Sequence, residues 1–358
     1  MTPMPSLIRR AAALPCALLL AAGGLLAASD AATAAPAGHR AGTDHGTETT
    51  SAPLVPGLYQ SAYSERNDAL WVTSAVGRPP VTQSALLRVD PRTLEIEQTI
   101  VPPVTDAETG AVEAVYGVAV DDEHDTVWTT NTRDNSVAVY SQRTGAHLAT
   151  LPGVAHAREV VVDERHDTVW ASGFSDGTLV AFDSRTFEEK DRVTVEGAGP
   201  TGLAVDERSG TVYAADLNND RIIAAHVGED GAPRLIPAGE GPLSIALSRD
   251  GRTAYTANQT AGTVSAVDLR SGTVTGTVAT GAGPLSVGVD PGTGLVLVAD
   301  RTDAEVAVVD PRRGEVVERI ATGANPNHVE TAGGAAYVVD KSGAGAADDL
   351  LHRIRLGR

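Results

Sequence analysis

The chain has 358 residues, and its 46 Asp and Glu outnumber its 28 Lys and Arg, which gives a formal net charge of −18 at pH 7. Such a charge repels polyanions at long range and argues against a protein that coats nucleic acid. The one cysteine is Cys16, so an internal disulfide is excluded.

The first 34 residues have the features of a secretory signal peptide. Arg9 and Arg10 form a basic start, residues 11–28 form an apolar stretch, and residues 32–34 offer an A-x-A-like cleavage site. Cleavage would remove two arginines and one aspartate, which leaves a mature chain of formal charge −19 with no transmembrane segment. We therefore expect a secreted protein, either extracellular or periplasmic.

The export route has two alternatives. Paired arginines occur in twin-arginine signals, but here three alanines follow where that motif has a polar and then a hydrophobic set. Cys16 could carry the lipid of a lipoprotein, but Pro15 precedes it where a small residue is needed. The general route fits best. Residues 35–50 are small and polar, which predicts a disordered leader.

Residues 51–358 repeat one pattern seven times. Each repeat contains a short β-branched run with a bulky second residue, and these bulky residues lie 57, 42, 43, 42, 42 and 40 positions apart. A period near 42 residues, made of short strands and turns, is typical of a propeller blade. The pattern predicts an all-β, seven-bladed β-propeller with four-stranded antiparallel blades. The bulky residues are Trp71, Trp128, Trp170, Tyr213, Tyr255, Leu297 and Tyr337.

Residues 199–239 show one complete repeat. The bulky residue stands in the second strand, and its strict period predicts a wedge packed between blades rather than a ligand contact. Proline in the entry turn fixes φ and biases the preceding residue away from helix. The entry turn and the four predicted strands occupy 199–200, 202–206, 211–216, 222–226 and 234–236.

The two ends of the repeat region complement each other. After its second strand the last repeat has only one more strand, residues 350–356, whereas residues 51–56 resemble the outermost strands of other repeats. We predict that these two segments pair and close the ring, which removes exposed sheet edges. The two prolines in 51–56 are compatible with an outermost strand, because one of its edges is unpaired.

One face of the propeller gathers the residues that differ between repeats. Antiparallel connections place the entry turn and the turn after the second strand on the same face, around the channel mouth. The longer loops 76–83, 105–112 and 342–348 also lie there, and long loops on a rigid scaffold often carry specificity. The residues at the start of the innermost strands are Gln60, Gly117, Glu159, Gly202, Ser244, Ser286 and His328.

These features predict a ligand site at the mouth, on the side formed by the first, second and last blades. Neither a cofactor nor a bound metal is indicated by any motif. The candidate ligand-binding residues are Tyr59, Gln60, Tyr116, Arg133, Arg158, Glu159, Asn327 and His328.

No catalytic motif is recognisable, but two arrangements could support chemistry. Glu159 and His328 could form an acid–base pair, with Arg158 holding an anion. Asp216 and Asp300 could instead hold a hard cation together with Glu159. The aspartates could equally cap turns through local hydrogen bonds, as could the other polar residues that follow the second strands.

Short segments within the repeats carry a resemblance to a known family. They are residues 57–64, 69–72, 88–95, 131–137, 158–160, 325–327, 348–350 and 353–354. These segments resemble the YVTN-repeat propellers and, within them, the exported YncE family of bacteria. The resemblance covers about residues 53–358 and implies a soluble, exported, seven-bladed binding scaffold. Nucleic-acid binding also accompanies this family, although the charge of this chain opposes it, and His328 stands where such repeats more often have a small residue.

We expect a secreted, monomeric, non-enzymatic propeller that binds a small molecule, a peptide or a cell-envelope component. One alternative is a lactonase- or lyase-type enzyme using the same mouth; a streptogramin-lyase-like site would need a second histidine, and His156 is the only nearby one. The other is single-stranded nucleic-acid binding, which requires a basic strip beside an aromatic residue. The candidates for that strip are Arg78, Arg133, Arg158 and Arg301, with Tyr59 or Tyr116.

Overall fold

The computed structural model describes residues 46–228, 232–345 and 347–357. The predicted signal peptide and most of the predicted leader lie outside the described residues. In the part of the chain that is described, no helix is long and apolar enough to cross a membrane.

The described chain forms seven four-stranded antiparallel sheets. The first strand, β1 (Glu48–Pro53), belongs to the last blade. Blade 1 contains β2 (Leu58–Ser64), β3 (Ala69–Val76), β4 (Gln83–Val89) and β5 (Ile96–Ile100), and a hairpin of β6 (Val104–Asp106) and β7 (Ala111–Val112) follows it. Blade 2 contains β8 (Val115–Asp121), β9 (Thr126–Asn131), β10 (Ser136–Ser141) and β11 (His147–Pro152).

Blades 3 to 5 follow the same plan. Blade 3 contains β12 (Ala157–Asp163), a 3₁₀ turn (Glu164–His166), β13 (Thr168–Gly173), β14 (Thr178–Asp183) and β15 (Glu189–Thr194). Blade 4 contains β16 (Pro200–Asp206), β17 (Thr211–Asp216), β18 (Arg221–Ala225) and β19 (Arg234–Pro237). Blade 5 contains β20 (Pro242–Leu247), β21 (Thr253–Asn258), β22 (Thr263–Asp268) and β23 (Thr273–Ala279).

Blades 6 and 7 complete the ring. Blade 6 contains β24 (Pro284–Val289), β25 (Val296–Asp300), β26 (Glu305–Asp310) and β27 (Glu315–Ala321). Blade 7 contains β28 (Pro326–Ala332), β29 (Ala335–Asp340) and β30 (Leu350–Arg355), with β1 as its outermost strand. The innermost strands β2, β8, β12, β16, β20, β24 and β28 contact one another in this order, and β28 contacts β2. The predicted seven-bladed propeller is confirmed.

Strand β1 pairs with β30 and closes the ring, as predicted. The pairing runs from Glu48 opposite Arg355 to Pro53 opposite Leu350. It therefore begins and ends three residues earlier than the predicted 51–56, so the end of the predicted disordered leader is part of a strand. The reason is that the edge of β30 extends to Arg355 and offers backbone partners to Glu48, Thr49 and Thr50. These three residues are polar, so the sequence did not indicate that they form a strand.

The hydrophobic core lies between blades, with one main cluster at each of the seven junctions. Trp71 packs against blade 2, Trp128 against blade 3 and Trp170 against blade 4, and all three side chains are fully buried. At the junction of blades 7 and 1, Tyr337 and Leu351 pack against residues of β2, β3 and β4. The prediction that the bulky residues are wedges between blades is confirmed.

Asp349 connects the last blade to the first. Its side chain is fully buried and accepts hydrogen bonds from the backbone N–H groups of Gly57 at 2.8 Å, Leu58 at 2.9 Å and Gly343 at 2.8 Å. One carboxylate thus fixes the start of β2 to the segment before β30, directly beside the channel mouth.

Replacing Asp349 with alanine should lower the free energy of unfolding by about 3 kcal/mol or more, because it leaves buried N–H groups without acceptors. Asp348→Ala is the matched control, since the side chain of Asp348 is exposed. Urea denaturation of both variants measures the effect. Equal midpoints for the two variants would show that Asp349 does not hold the ring closed.

Candidate ligand-binding site at the channel mouth

Two cavities lie along the axis of the propeller. The channel cavity, of about 600 Å³, is lined by the innermost strands of all seven blades. The smaller cavity at the mouth has about 250 Å³ and is formed by blades 1, 2, 3 and 7. Its lining residues are Tyr59, Gln60, Tyr116, Gly117, Thr132, Arg133, His156, Arg158 and Asn327.

The structure divides the eight predicted site residues between these cavities. Six of them, Tyr59, Gln60, Tyr116, Arg133, Arg158 and Asn327, line the mouth cavity. The other two, Glu159 and His328, line the channel instead. The sequence comparison of repeats therefore placed all eight along the axis but did not separate the two spaces.

A backbone irregularity in each innermost strand presents these side chains. In β2 the register with β3 shifts between Leu58 and Ser61, so Tyr59 and Gln60 together oppose the single residue Thr73. The same shift occurs in β8 and β12, where the pairs 116–117 and 158–159 are unpaired in the ladder. Such bulges bend the strand and change the direction of side chains. Most of the site residues are thus bulged residues; the exceptions are Arg133, which follows β9, and His328, which pairs with Val339.

Hydroxyl groups on the second strands hold the bulges in place. Thr130 Oγ1 accepts the N–H of Gly117 at 2.8 Å and donates to the carbonyl of Arg158 in the next blade at 3.2 Å. Thr73 and Ser172 make the same pair of bonds in blades 1 and 3. Each hydroxyl therefore satisfies a backbone N–H that the bulge removed from the ladder, and also links neighbouring blades.

The absence of a side chain at Gly117 has a local steric reason. A Cβ atom there would lie 2.7 Å from Thr130 Oγ1 and 2.8 Å from the carbonyl oxygen of Arg158. Both atoms take part in the hydroxyl link between blades 2 and 3, so they cannot move apart without breaking it. Glycine allows the close approach of the two blades at this point.

Two tyrosines form the aromatic wall of the mouth cavity. The rings of Tyr59 and Tyr116 meet edge to face, with centroids 4.4 Å apart and an interplanar angle of 80°. Lys341 Nζ lies 3.4 Å from the centroid of the Tyr59 ring and donates to the carbonyl of Leu58 at 2.8 Å. Burial lowers the pKa of Lys341 to about 8. The repeat comparison did not select this lysine as a site residue. Its contact with the face of the Tyr59 ring stabilises the aromatic wall.

Basic side chains surround the aromatic wall. Arg158 stacks over Phe174 with its guanidinium carbon 5.2 Å from the ring centroid, and Arg133 is exposed at the rim. Burial lowers the pKa of His156, and the charges of Arg158 and Arg133 lower it further. His156 is therefore a neutral group in a positive environment at neutral pH.

Asn327 connects the wall to a further arginine. Its side-chain amide donates to the carbonyl of Tyr59 at 2.7 Å, and its carbonyl oxygen accepts from Arg301. Arg301 is half-buried, and its Nε has no hydrogen-bond partner among the described residues. Asn327 thus positions both the main chain of Tyr59 and a cationic group.

Gln60 forms the boundary between the two cavities. Its amide donates to Glu159 Oε2 at 2.8 Å, and its carbonyl oxygen accepts the N–H of Val118 at 3.2 Å. Burial raises the pKa of Glu159 to about 7, against the opposing effects of the Gln60 bond and the Arg158 charge. Nearby Glu330 raises it further.

His328 has a structural partner in the next blade. Its Nδ1 accepts the backbone N–H of Ser61 at 3.3 Å, as Ser244 and Ser286 accept the N–H groups of Val287 and Val329 at the equivalent positions. Burial lowers the pKa of His328 to about 4, so the ring is neutral. With Nδ1 as acceptor, the neutral ring carries its proton on Nε2.

Glu330 is a channel residue that the repeat comparison missed. It lies two residues after His328 on β28 and lines the same channel. Burial raises the pKa of its carboxyl to about 7. A signal was present in the sequence, because the equivalent positions, each paired with the bulky second-strand residue, hold small or apolar residues: Ala62, Ala119, Val161, Ala204, Ala246 and Gly288.

The acid–base pair considered from the sequence shares the channel but has no direct bond. Glu159 and His328 make neither a hydrogen bond nor an ion pair with each other among the described contacts, and His156 lines a different cavity from His328. Asp216 caps its own turn by accepting from the side-chain amide of Asn219 at 3.0 Å. It also accepts the N–H of Gly199 in the entry turn at 2.8 Å and pairs with Arg221.

Asp300 also bonds to a nearby side chain and not to Asp216 or Glu159 among the described contacts. Its Oδ1 accepts from Thr280 Oγ1 at 3.0 Å, and burial raises its pKa to about 7. The proposed cation ligands therefore do not converge. The turn-capping alternative is the one that Asp216 follows, and Asn258 likewise bonds locally to Thr263 and Ser265.

A potential metal-binding group lies elsewhere, in loops of the blade 2 and blade 3 junction. Ligand atoms of Glu123, His124 and Asp167 come within 4.8 Å of one another. Asp167 is already paired with Arg185, and His124 Nδ1 bonds to Asp121 at 2.9 Å. These bonds account for the cluster as part of the loop structure.

Comparisons with known proteins identify a similar fold but no family. No family model matches the chain, and no curated protein matches its sequence. Among solved structures, virginiamycin B lyase from Staphylococcus aureus is similar, with a TM-score of 0.69 and 11% identity, over 87% of this chain and 99% of that one. At this identity the likeness shows the propeller fold alone. The resemblance to the YVTN-repeat and YncE propellers stays a prediction.

Thr130→Val should lower the free energy of unfolding by about 2 kcal/mol, because the N–H of Gly117 and the carbonyl of Arg158 both lose the hydroxyl. Thr130→Ser retains the hydroxyl and is the control. Chemical denaturation measures both. If Thr130→Val and Thr130→Ser lower the free energy of unfolding by the same amount, the hydroxyl link between blades is not a stabilising contact.

Glu330→Gln should change how stability depends on pH. Well below pH 4.5 the Glu330 carboxyl of the wild type is neutral in both the folded and the unfolded state. As pH rises toward 7 this carboxyl ionises in the unfolded chain but stays neutral in the folded one, because burial raises its pKa there to about 7. The free energy of unfolding of the wild type therefore falls over this range. Glutamine cannot ionise. The free energy of unfolding of the variant should therefore rise relative to wild type by roughly 2 kcal/mol between pH 5 and pH 8.

Urea denaturation at several pH values measures this difference. His328 contributes an opposite slope, because its lowered pKa makes stability fall as pH drops from 6.5 toward 4, but it is present in both proteins and cancels. Glu188→Gln, at an exposed position, is the control. A difference that stays constant with pH would show that Glu330 is not held in its neutral form.

Proposed function

We propose that this protein is a non-enzymatic binding propeller that holds a small molecule, a peptide end or a cell-envelope component in its mouth cavity. The observation that carries the proposal is the convergence of six variable residues from four blades on one concavity of about 250 Å³. Binding sites are concave, combine apolar walls with a few polar groups, and stand on rigid scaffolds. The mouth cavity has all three properties.

The fixed geometry of the wall supports binding. Tyr59 and Tyr116 belong to bulges whose backbone is held by Thr73, and Asn327 holds the carbonyl of Tyr59. A ligand would therefore meet side chains that are already in position, which reduces the entropy lost on binding.

A hydrolytic or lyase function receives less support from the same residues. Acid–base catalysis needs a general base within hydrogen-bond reach of the reacting proton. His328 uses Nδ1 for the main chain of Ser61, and Glu159 is bound by Gln60. The structurally similar protein is named a lyase, but at 11% identity the likeness shows the fold alone and supports no activity for this chain.

Export is part of the proposal. Residues 1–34 have the basic, apolar and small-residue order of a signal peptide, and the resemblance to exported YncE-like propellers agrees with it. A binding protein of this kind would meet its ligand outside the cytoplasm.

The test is a screen of small compounds in three equal groups, anionic, neutral and cationic, by ligand-observed NMR. Hits should lose at least about fivefold in affinity with Tyr59→Ala, which removes a wall of the cavity. Tyr63→Ala is the matched control, since Tyr63 lies four residues along the same strand and lines the channel. Circular dichroism checks that both variants fold.

Two outcomes would contradict the proposed function. Hits that are weakened equally by the two tyrosine substitutions do not bind at the mouth. Hits that are chemically converted during incubation, as shown by mass spectrometry, would make the protein an enzyme.

A further inference from the structure

The mouth cavity concentrates positive charge that has no direct ion pair among the described residues. Arg133 and Arg158 line it, Arg301 reaches it through Asn327, and Lys341 lies against Tyr59. In the part of the chain that the structure describes, none of these four cations lies within 4.0 Å of a carboxylate oxygen. This is notable in a chain of formal charge −18.

The nearest acidic groups are engaged elsewhere. Asp349 accepts three backbone N–H groups at the ring closure. Asp340 accepts the N–H of Asn325 at 3.1 Å and lies beside His352, and Glu159 faces the channel and is bound by Gln60. None of these carboxylates lies within 4.0 Å of a mouth cation among the described residues. Their charges still act at longer range, Asp340 on Arg301, Asp349 on Lys341 and Glu159 on Arg158.

Several basic residues elsewhere in the propeller pair with carboxylates, whereas exposed ones such as Arg143 and Arg249 have no such pair among the described residues. Arg221 pairs with Asp216, and Arg192 with Glu189 at 2.7 Å. At the mouth, the guanidinium of Arg158 stacks over Phe174, and the buried Nε of Arg301 has no hydrogen-bond partner among the described residues. An anion bound in the cavity would supply the direct ion pair that these cations lack among the described residues.

The electrostatics of neighbouring groups agree with a positive cavity. The pKa of Tyr59 is raised by burial and by Tyr116, and the charges of Arg133, Arg301 and Arg158 each act in the opposite direction. Two of these arginines also lower the pKa of His156. The three arginines from blades 2, 3 and 6 therefore act on one point, the aromatic wall.

Size and shape restrict the occupant. A cavity of about 250 Å³ is smaller than the roughly 300–1,000 Å³ of sites for drug-sized ligands. Guanidinium groups bind carboxylate and phosphate through paired N–H donors, and tyrosine rings present flat apolar faces. The combination suits a small molecule with an anionic end and a flat body.

We propose that the mouth cavity binds a small organic anion, with its carboxylate or phosphate held by Arg158 and Arg133 and its flat part against Tyr59 and Tyr116. The inference rests on the proposed function and specifies the chemical class of ligand for the same cavity.

The test compares benzoate and phenyl phosphate with benzamide, which is similar to benzoate in shape but neutral. Isothermal titration calorimetry at low salt should show the two anions binding at least about tenfold more tightly than benzamide, because bonds between charged groups are stronger than neutral ones. The preference should weaken as KCl is added.

Variants test which arginines cause the preference for anions over benzamide. Arg158→Gln and Arg133→Gln should each remove most of it, and Arg158→Lys should restore part of the loss of Arg158→Gln. Arg143→Gln is the matched control, because it removes the same charge from an exposed turn at the opposite end of blade 2. Thermal denaturation confirms folding; Arg133 is exposed, so its variant keeps the test valid if Arg158→Gln does not fold.

The outcomes separate the inference from the proposed function. Equal affinities for benzoate and benzamide, or hits confined to neutral or cationic compounds in the screen, would overturn the inference and leave the binding function intact. Binding of an oligothymidylate without binding of either small anion would overturn it in favour of nucleic acid. If neither the anions nor any compound of the screen binds, both proposals fail.

Discussion

The structure depends on the packing of one bulky residue per blade into the junction with the next blade. Trp71, Trp128 and Trp170 are fully buried there, and each belongs to the second strand of its own blade. Burying a side chain of this size contributes about 3–5 kcal/mol relative to alanine. Because the seven main clusters lie between blades, no blade has a complete core alone, and the ring is stable only when closed. The strand pairing of β1 with β30 and the three bonds of Asp349 supply that closure.

The same requirement explains how the mouth is built. Where the innermost strands converge, each forms a bulge, and in blades 1 to 3 a Thr or Ser on the second strand satisfies the freed N–H group while donating to the next blade. The contact that joins blades therefore also directs the bulged side chains. At Gly117 the blades are so close that no side chain fits, whereas at Tyr59 and Arg158 the side chains form the walls of the cavity. Stability and the candidate site are consequences of one arrangement.

The axis of the propeller contains two environments of opposite character. At the mouth, four cations surround two tyrosines and have no carboxylate partners among the described residues. In the channel, Glu159 and Glu330 have pKa values raised to about 7 by burial, and His328 is neutral. Gln60 stands between them and bonds to Glu159. The mouth thus favours an anion, and the channel favours neutral forms of its own acids.

The sequence by itself determined the blade number, the wedges, the ring closure and the face that carries the variable residues, because each of these follows from a local period of about 42 residues or from the count of strands at the two ends. Aligned repeats also selected six residues that line one cavity. Only the tertiary structure decided which side chains share a space. Because of the bulge, the side chains of the adjacent residues Arg158 and Glu159 line different cavities. Lys341 contacts Tyr59 from another blade. The role of His328 as an acceptor for Ser61 was also hidden, because it depends on the distance between β28 and β2, which are separated by more than 260 residues in the chain and adjacent only after the ring has closed.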